Sequence, residues 1–170
     1  VFKLFIILEN EKQGGFEPLD FEQIYSKYYQ KVLNYLLFTL KSSKEAEDIA
    51  QEVFYKLIKN PPREDNIQGW LITVAKNFAI NYLKSQKRIS IGEKHFLFSQ
   101  TPQDDIEILQ VKMTLEKLPE EQRDLLILKY SGYTYEEIAK IMNINPNSVG
   151  TMIARAQRKF RKIYEEGEGE

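Results

Sequence analysis

The chain has 170 residues, 42% hydrophobic and 29% charged, which suits one globular domain or two small ones rather than a disordered segment. It contains no cysteine and one histidine, His95, which excludes disulfides, cysteine nucleophiles, thiolate metal sites and histidine-cluster metal sites. A formal net charge of -1 and a pI of about 6.0 exclude a uniformly basic coat for nucleic acid.

Residues 1–19 carry no strong pattern and form an N-terminal extension outside the fold argument. Their apolar run Phe2–Leu8 contains Lys3 and falls short of the ~20 residues of a membrane span, so a cytoplasmic protein is expected. Asp20 can cap a first helix through about Lys41, with Phe21, Ile24, Tyr28, Val32 and Leu36 at helical spacing. A second helix is predicted from about Ser43 to Ile58. Its Ala46, Ile49, Ala50, Val53, Phe54, Leu57 and Ile58 make one apolar face, and Asn60-Pro61-Pro62 ends it. After a loop to Gly69, Trp70 opens a third helix to about Ser85, with Leu71, Val74, Ala75, Phe78 and Tyr82 on one side. Trp70 is assigned to the core rather than to stacking on a base.

Residues 88–104 lose the pattern, and Ser90, Gly92, Ser99, Thr101 and Pro102 mark a linker. Phe96-Leu97-Phe98 is an apolar run within it, suited to docking elsewhere. A helix then runs from Asp105 to Lys117. Pro119 restarts the chain at a first helical position, followed by Glu120 and Glu121, which suit a positive helix end. That helix stops at Ser131-Gly132. Thr134 to Glu137 reads as a capping box for a short helix through Met142. Pro146 starts the last helix, with Val149, Met152, Ile153, Ala156 and Phe160 inward. Residues 165–170 read as a frayed acidic tail. The fold class is therefore all-α: two small helical domains joined by a flexible linker.

The net charge hides an asymmetry. Asn66 to Gly92 contains no Asp or Glu but holds Lys76, Lys84, Lys87 and Arg88. Ile138 to Tyr164 is equally free of acids and holds Lys140, Arg155, Arg158, Lys159, Arg161 and Lys162. Acid-free basic stretches are the expected footprint of phosphate contact. Each alone is also what a solvated helix face looks like.

Residues 135–154 fit a helix-turn-helix. Ala139 is small where two helices approach, Asn143 occupies the turn position that needs a left-handed backbone, and Val149 packs the second helix onto the first. The second helix presents Asn147, Ser148, Thr151, Arg155, Arg158, Lys159 and Lys162 outward. Early polar residues of such a helix can reach base edges, and later Arg and Lys meet phosphates.

Three strings carry a family resemblance: Ala46–Phe54, Trp70–Leu83, and Leu118–Asp124 continuing through Tyr135–Ala139 to Ser148-Val149. In this order and spacing the chain, over residues 20–164, resembles bacterial RNA polymerase sigma factors of the extracytoplasmic-function (ECF) group. The resemblance implies region two at 20–87 and region four at 105–164, and a promoter-specificity subunit rather than an enzyme. No cofactor or metal is implied. Core RNA polymerase and promoter DNA are the implied partners, with an anti-sigma protein commonly added. By resemblance, Asp48, Gln51, Glu52 and Tyr55 grip the polymerase. An acidic stripe opposite the apolar face suits a basic partner helix and would repel DNA. Asn66, Lys76, Asn77, Asn81, Lys84, Lys87 and Arg88 fall in the element that reads and opens the promoter box nearest the start. Lysines there would hold phosphates and asparagines would meet base edges. Region four would read the more distant box. It departs from the commonest pattern at Gly150, Met152 and Ala154, where many members carry a basic residue.

Two other readings fit the residues alone: a stand-alone helix-turn-helix regulator that ignores polymerase, and a helical adaptor that binds only protein. The first leaves the stripe on 48–55 without a role. The second predicts that Arg155 and Arg158 can be lost without effect.

Overall fold

The fold is taken from a computed structural model, which describes residues 21–40, 42–62, 66–92 and 104–167. Among these are seven helices and no strand: α1 (Phe21–Thr39), α2 (Ser43–Lys59), α3 (Ile67–Gly92), α4 (Asp104–Glu116), α5 (Glu120–Tyr130), α6 (Tyr135–Met142) and α7 (Pro146–Gly167). No helix among the described residues is long and apolar enough to cross a membrane.

The first lobe is built by α1, α2 and α3, which pack pairwise on one another. The apolar face of α2 is its centre: Ala46, Ile49, Ala50, Val53, Phe54 and Leu57 are all buried. Val32, Tyr35 and Leu36 of α1 and Leu71, Val74 and Ala75 of α3 close over them. Phe54 also anchors an aromatic cluster. Its ring meets Tyr25 edge-on at 5.1 Å, and Tyr25 stacks on Tyr29 at 4.7 Å. Trp70 is half-buried and packs against the core.

The second lobe is α4 to α7. Leu125 and Leu128 of α5, Ile138 of α6, and Val149, Ile153 and Ala156 of α7 form its core. Burying each of the leucine, isoleucine and valine side chains contributes about 1.5–3 kcal/mol relative to exposing it. Backbone bonds at the end of α5 aim the next residue inward. Gly132 adopts φ +94, its N–H donates to the Lys129 carbonyl, and the Tyr133 N–H reaches back to the Leu128 carbonyl. This left-handed glycine turn is the usual helix stop, and here it drives Tyr133 into the interior with 2% of its surface exposed.

Several helix ends differ from the sequence reading. The third helix continues past Ser85 to Gly92 and begins at Ile67 rather than Trp70. No proline or glycine interrupts it between Gly69 and Gly92, and Lys, Gln and Arg propagate a helix without any apolar period. The last helix runs to Gly167, so Glu165 and Glu166 are helical rather than part of a frayed tail. A Lys162–Glu166 pair at 3.8 Å spans one turn there. Pro119 occupies the N-cap position of α5, one residue before its first helical position. Asp20 and Phe96-Leu97-Phe98 lie outside the described residues.

Candidate nucleic-acid interface

The helix-turn-helix is built as its sequence demands. Thr134 Oγ1 accepts from the Glu137 N–H at 3.2 Å, and the Glu137 carboxylate accepts from the Thr134 N–H at 3.0 Å, a complete capping box at the start of α6. Asn143 ends α6 at φ 54, ψ 48, a left-handed conformation that asparagine tolerates better than most residues. The Ile144 N–H then returns to the Ala139 carbonyl at 3.0 Å. Ala139 and Val149 are buried where α6 and α7 meet. At the start of α7, Asn145 Oδ1 accepts from the Asn147 N–H at 2.9 Å. Asn147, Ser148, Thr151, Arg155, Arg158, Lys159 and Lys162 all stand exposed on the outer side of α7.

The candidate residues of the first lobe divide into two sets. Asn77, Asn81 and Lys84 are exposed along α3. The side chains of Lys87 and Arg88 lie outside the described residues. Asn66 and Lys76 instead face the second lobe. Asn66 caps α3, its Oδ1 accepting from the Gly69 N–H at 3.0 Å, while its Nδ2 donates to the Lys140 carbonyl at 3.0 Å. That carbonyl lies in the last turn of α6, where a helix leaves acceptors without internal partners. Gly69 makes the arrangement possible. A Cβ at this position would sit 2.5 Å from Asn66 Nδ2, too close for both to remain. Lys76 bridges to Glu120 at 2.6 Å and to Asp124 at 2.8 Å, both on α5. Burial alone would lower the Lys76 ammonium, but the two carboxylates outweigh it and hold the group well above the usual lysine range. Glu120 is held below the ordinary carboxylate value by its hydrogen bond to Lys76.

A second cross-lobe contact was not read from sequence. Lys31 of α1 donates to the Glu137 carboxylate at 2.7 Å, and its ammonium lies over the rings of Tyr28 and Tyr133 at 5.6 and 5.1 Å. Burial would raise the Glu137 carboxyl, but Lys31 and the Thr134 N–H together bring it below the ordinary value. The Tyr133 hydroxyl is buried and, among the described residues, has no hydrogen-bond partner. Burial pushes Tyr133 well above the ordinary tyrosine range and Tyr35 up to about 12. The pairing of Glu120 with Asp124, one turn apart, was the available signal. It reads equally well as a favourable charge at a helix start.

The acidic stripe of α2 behaves differently. Asp48, Gln51, Glu52 and Tyr55 are all exposed on the side opposite its buried face.

Comparison with known proteins gives a consistent answer. Residues 24–89 match the family model Sigma-70 region 2, and residues 108–160 match Sigma-70, region 4. The ECF RNA polymerase sigma factor SigM of Bacillus subtilis is 30% identical over 156 residues, covering 86% of this chain and 96% of the relative. RNA polymerase sigma factor YlaC of the same organism is 28% identical, covering 83% and 90%. Two solved structures share the fold. The sigma factor RpoE, solved with the anti-sigma factor NepR from Bartonella quintana, aligns with TM-score 0.56 at 19% identity, covering 86% of this chain and 97% of that one. CnrH, solved with the cytosolic domain of CnrY, aligns with TM-score 0.57 at 18% identity, covering 86% and 88%.

Proposed function

The chain belongs to the ECF RNA polymerase sigma factors, and from that premise we propose how its surfaces divide the work of a promoter-specificity subunit. Asp48, Gln51, Glu52 and Tyr55 dock on core RNA polymerase. Asn77, Asn81 and Lys84 of α3, with Asn66, Lys76, Lys87 and Arg88, read and hold the promoter box nearest the start. Holding an unstacked base costs a few kcal/mol, which contacts in that element must offset. Asn147, Ser148 and Thr151 meet base edges of the more distant box, and Arg155, Arg158, Lys159 and Lys162 hold its phosphates. The role is binding and positioning, with no catalytic group assigned. The DNA target implies work in the cytoplasm. One of the structures that share the fold, the sigma factor RpoE, was solved with an anti-sigma factor, and a partner of that kind is proposed here as well.

One observation carries this reading. Two acid-free exposed faces sit on two sigma-type lobes, and a separate acidic ridge stands on α2. Neither lobe needs to bind DNA tightly alone, because polymerase holding both raises their effective concentration without new contacts. The test is transcription in vitro with core polymerase and a pool of random promoters. Initiation at a defined subset, lost in Asp48→Lys/Glu52→Lys, is expected. Failure of the chain either to bind core polymerase or to direct any transcript would overturn the assignment.

A further inference from the structure

Gly150 stands on α7 between two exposed residues, Asn147 one turn before it and Ala154 one turn after. It offers no side chain to that flank, and Ala154 offers a single methyl group. The space is taken by a ring from the neighbouring helix. Tyr135, the first residue of α6, brings its Cε2 to 3.4 Å from where a Cβ on Gly150 would stand. The ring therefore borders the side of α7 assigned to the distant promoter box.

Local structure holds the ring there. The Thr134 capping box fixes the start of α6, and the buried Ala139 and Val149 fix how α6 lies on α7. Tyr135 is nonetheless 40% exposed, although an aromatic ring gains by burial. Against it lies the ammonium of Lys129, in the last turn of α5, at 4.8 Å from the ring centroid. Lys129 is half-buried, as are Lys31 and Lys76, but those two close on carboxylates of the second lobe. Among the described residues Lys129 makes no ion pair. A ring attracts a cation without neutralising it, so the ammonium can still take an anion on its open side.

A helix laid in a major groove turns its outer side to the bases and its flanks to the phosphate backbones that wall the groove. Gly150 lies on such a flank, so Tyr135 and Lys129 face one wall. We infer that Lys129 and Tyr135 form a further DNA contact of the second lobe, a ring-backed cation that grips one backbone wall beside the bases met by Asn147. This rests on the reading of α7 as the helix that enters the distant box, and extends the contact to α5 and α6. The Lys129 ammonium neutralises one phosphate while the ring steadies its stem, and the Tyr135 hydroxyl donates to the neighbouring phosphate. Gly150 is the condition for the arrangement, because its missing side chain leaves room for the ring. Backbone contacts of this kind fix the register of α7 in the groove, and with it which base edges Asn147 and Thr151 meet.

The test uses the full chain bound to core polymerase, on a promoter recovered from the random pool, across a salt series. Lys129→Gln, Tyr135→Phe, Tyr135→Ala and the double variant Lys129→Gln/Tyr135→Ala are compared with the unaltered chain. Lys117→Gln, at an exposed lysine outside every assigned surface, controls for overall charge. Helicity and thermal unfolding establish that each variant is folded. Interference by ethylated phosphates maps the contacts.

Lys129→Gln should weaken binding about fivefold or more at low salt and lower the slope of log affinity against log salt by about 1. One phosphate whose ethylation blocks the unaltered chain should cease to matter in that variant. Tyr135→Phe should weaken binding about two- to fivefold with the slope unchanged, since a neutral donor is lost. In the double variant the losses should be less than additive, because the lysine and its backing act as one unit. Lys117→Gln should change neither affinity nor slope. Folded Lys129→Gln and Tyr135→Ala chains with unaltered affinity and slope would overturn the contact, even where the unaltered chain directs transcription. Equal losses in Lys117→Gln would overturn it as well, by reducing the effect to overall charge. Absence of any directed transcript from the unaltered chain would instead remove the assignment of α7 beneath it.

Discussion

The Lys76 ammonium stands 2.8 Å from the Asp124 carboxylate, joining residues 48 positions apart across the junction of the two lobes. The lysine side chain is one-third exposed and the aspartate about one-fifth, so the pair is neither a solvated surface contact nor a dry one. Its net strength follows from that intermediate position. A double-mutant cycle of Lys76→Gln and Asp124→Asn, read by thermal unfolding, should give a coupling of about 0.5–1 kcal/mol that shrinks in high salt. Additive single effects at low salt would mean that the two groups do not act on each other in solution.

Stability should be flat through neutral pH and fall on either side. Glu120 and Glu137 titrate below their ordinary value of 4.5 in the fold, so their contribution is present above that value and lost as pH falls through the folded value. Lys76, Tyr35 and Tyr133 titrate above their ordinary values in the fold. Their contribution is complete below those values and disappears as pH rises through the folded ones. Chemical denaturation across the pH range should show a plateau between about 5 and 10. In Glu120→Gln/Glu137→Gln the acid limb should be shallower.

Tyr133→Phe should be neutral or stabilising by up to about 1 kcal/mol. The ring remains in place, while a buried hydroxyl without a hydrogen-bond partner among the described residues is removed. Tyr133→Ala should instead cost about 3–5 kcal/mol, since it empties a fully enclosed aromatic site. Loss of stability in the phenylalanine variant comparable to the alanine one would show that the hydroxyl is bonded in solution.

Two glycines should respond with opposite signs. Gly150 lies inside α7, and a Cβ there would meet the Tyr135 ring at 3.4 Å, an ordinary contact. Gly150→Ala should therefore stabilise by about 0.5–1 kcal/mol, or about 2–4 °C in Tm. Gly132 sits at φ +94, where any side chain is strained, and Gly132→Ala should destabilise by about 1 kcal/mol or more. Calorimetry on the two variants decides both.

The basic outer turns of α7 make a prediction about salt rather than about sequence preference. Arg155→Ala and Arg158→Ala should each weaken promoter binding by the polymerase complex across all promoters. Each should also reduce the slope of log affinity against log salt by about 1. A change confined to one promoter would assign that arginine to a base instead.

What was readable in the sequence was local. The Thr134–Glu137 box, the left-handed Asn143 and the buried Ala139–Val149 packing are each decided by residues within a turn or two of one another. The apolar face of α2 emerged for the same reason. The extent of α3 did not, because its last turns have neither an apolar period nor a stop signal before Gly92. The lobe seam lay furthest from sequence reasoning. Its partners are separated by 44, 48, 74 and 106 residues, and no periodicity connects Lys31 to Glu137 or Asn66 to Lys140. In sequence Lys76 reads as a phosphate ligand, because an acid-free stretch says nothing about acids brought in from elsewhere.

Gly69 joins local folding to the larger arrangement through an absent methyl group. A single amide, Asn66, begins a helix with its oxygen and fastens the neighbouring lobe with its nitrogen. Any side chain at 69 would disturb both ends of that amide together. Mutational drift there would alter the start of α3 and its contact with α6 in one step.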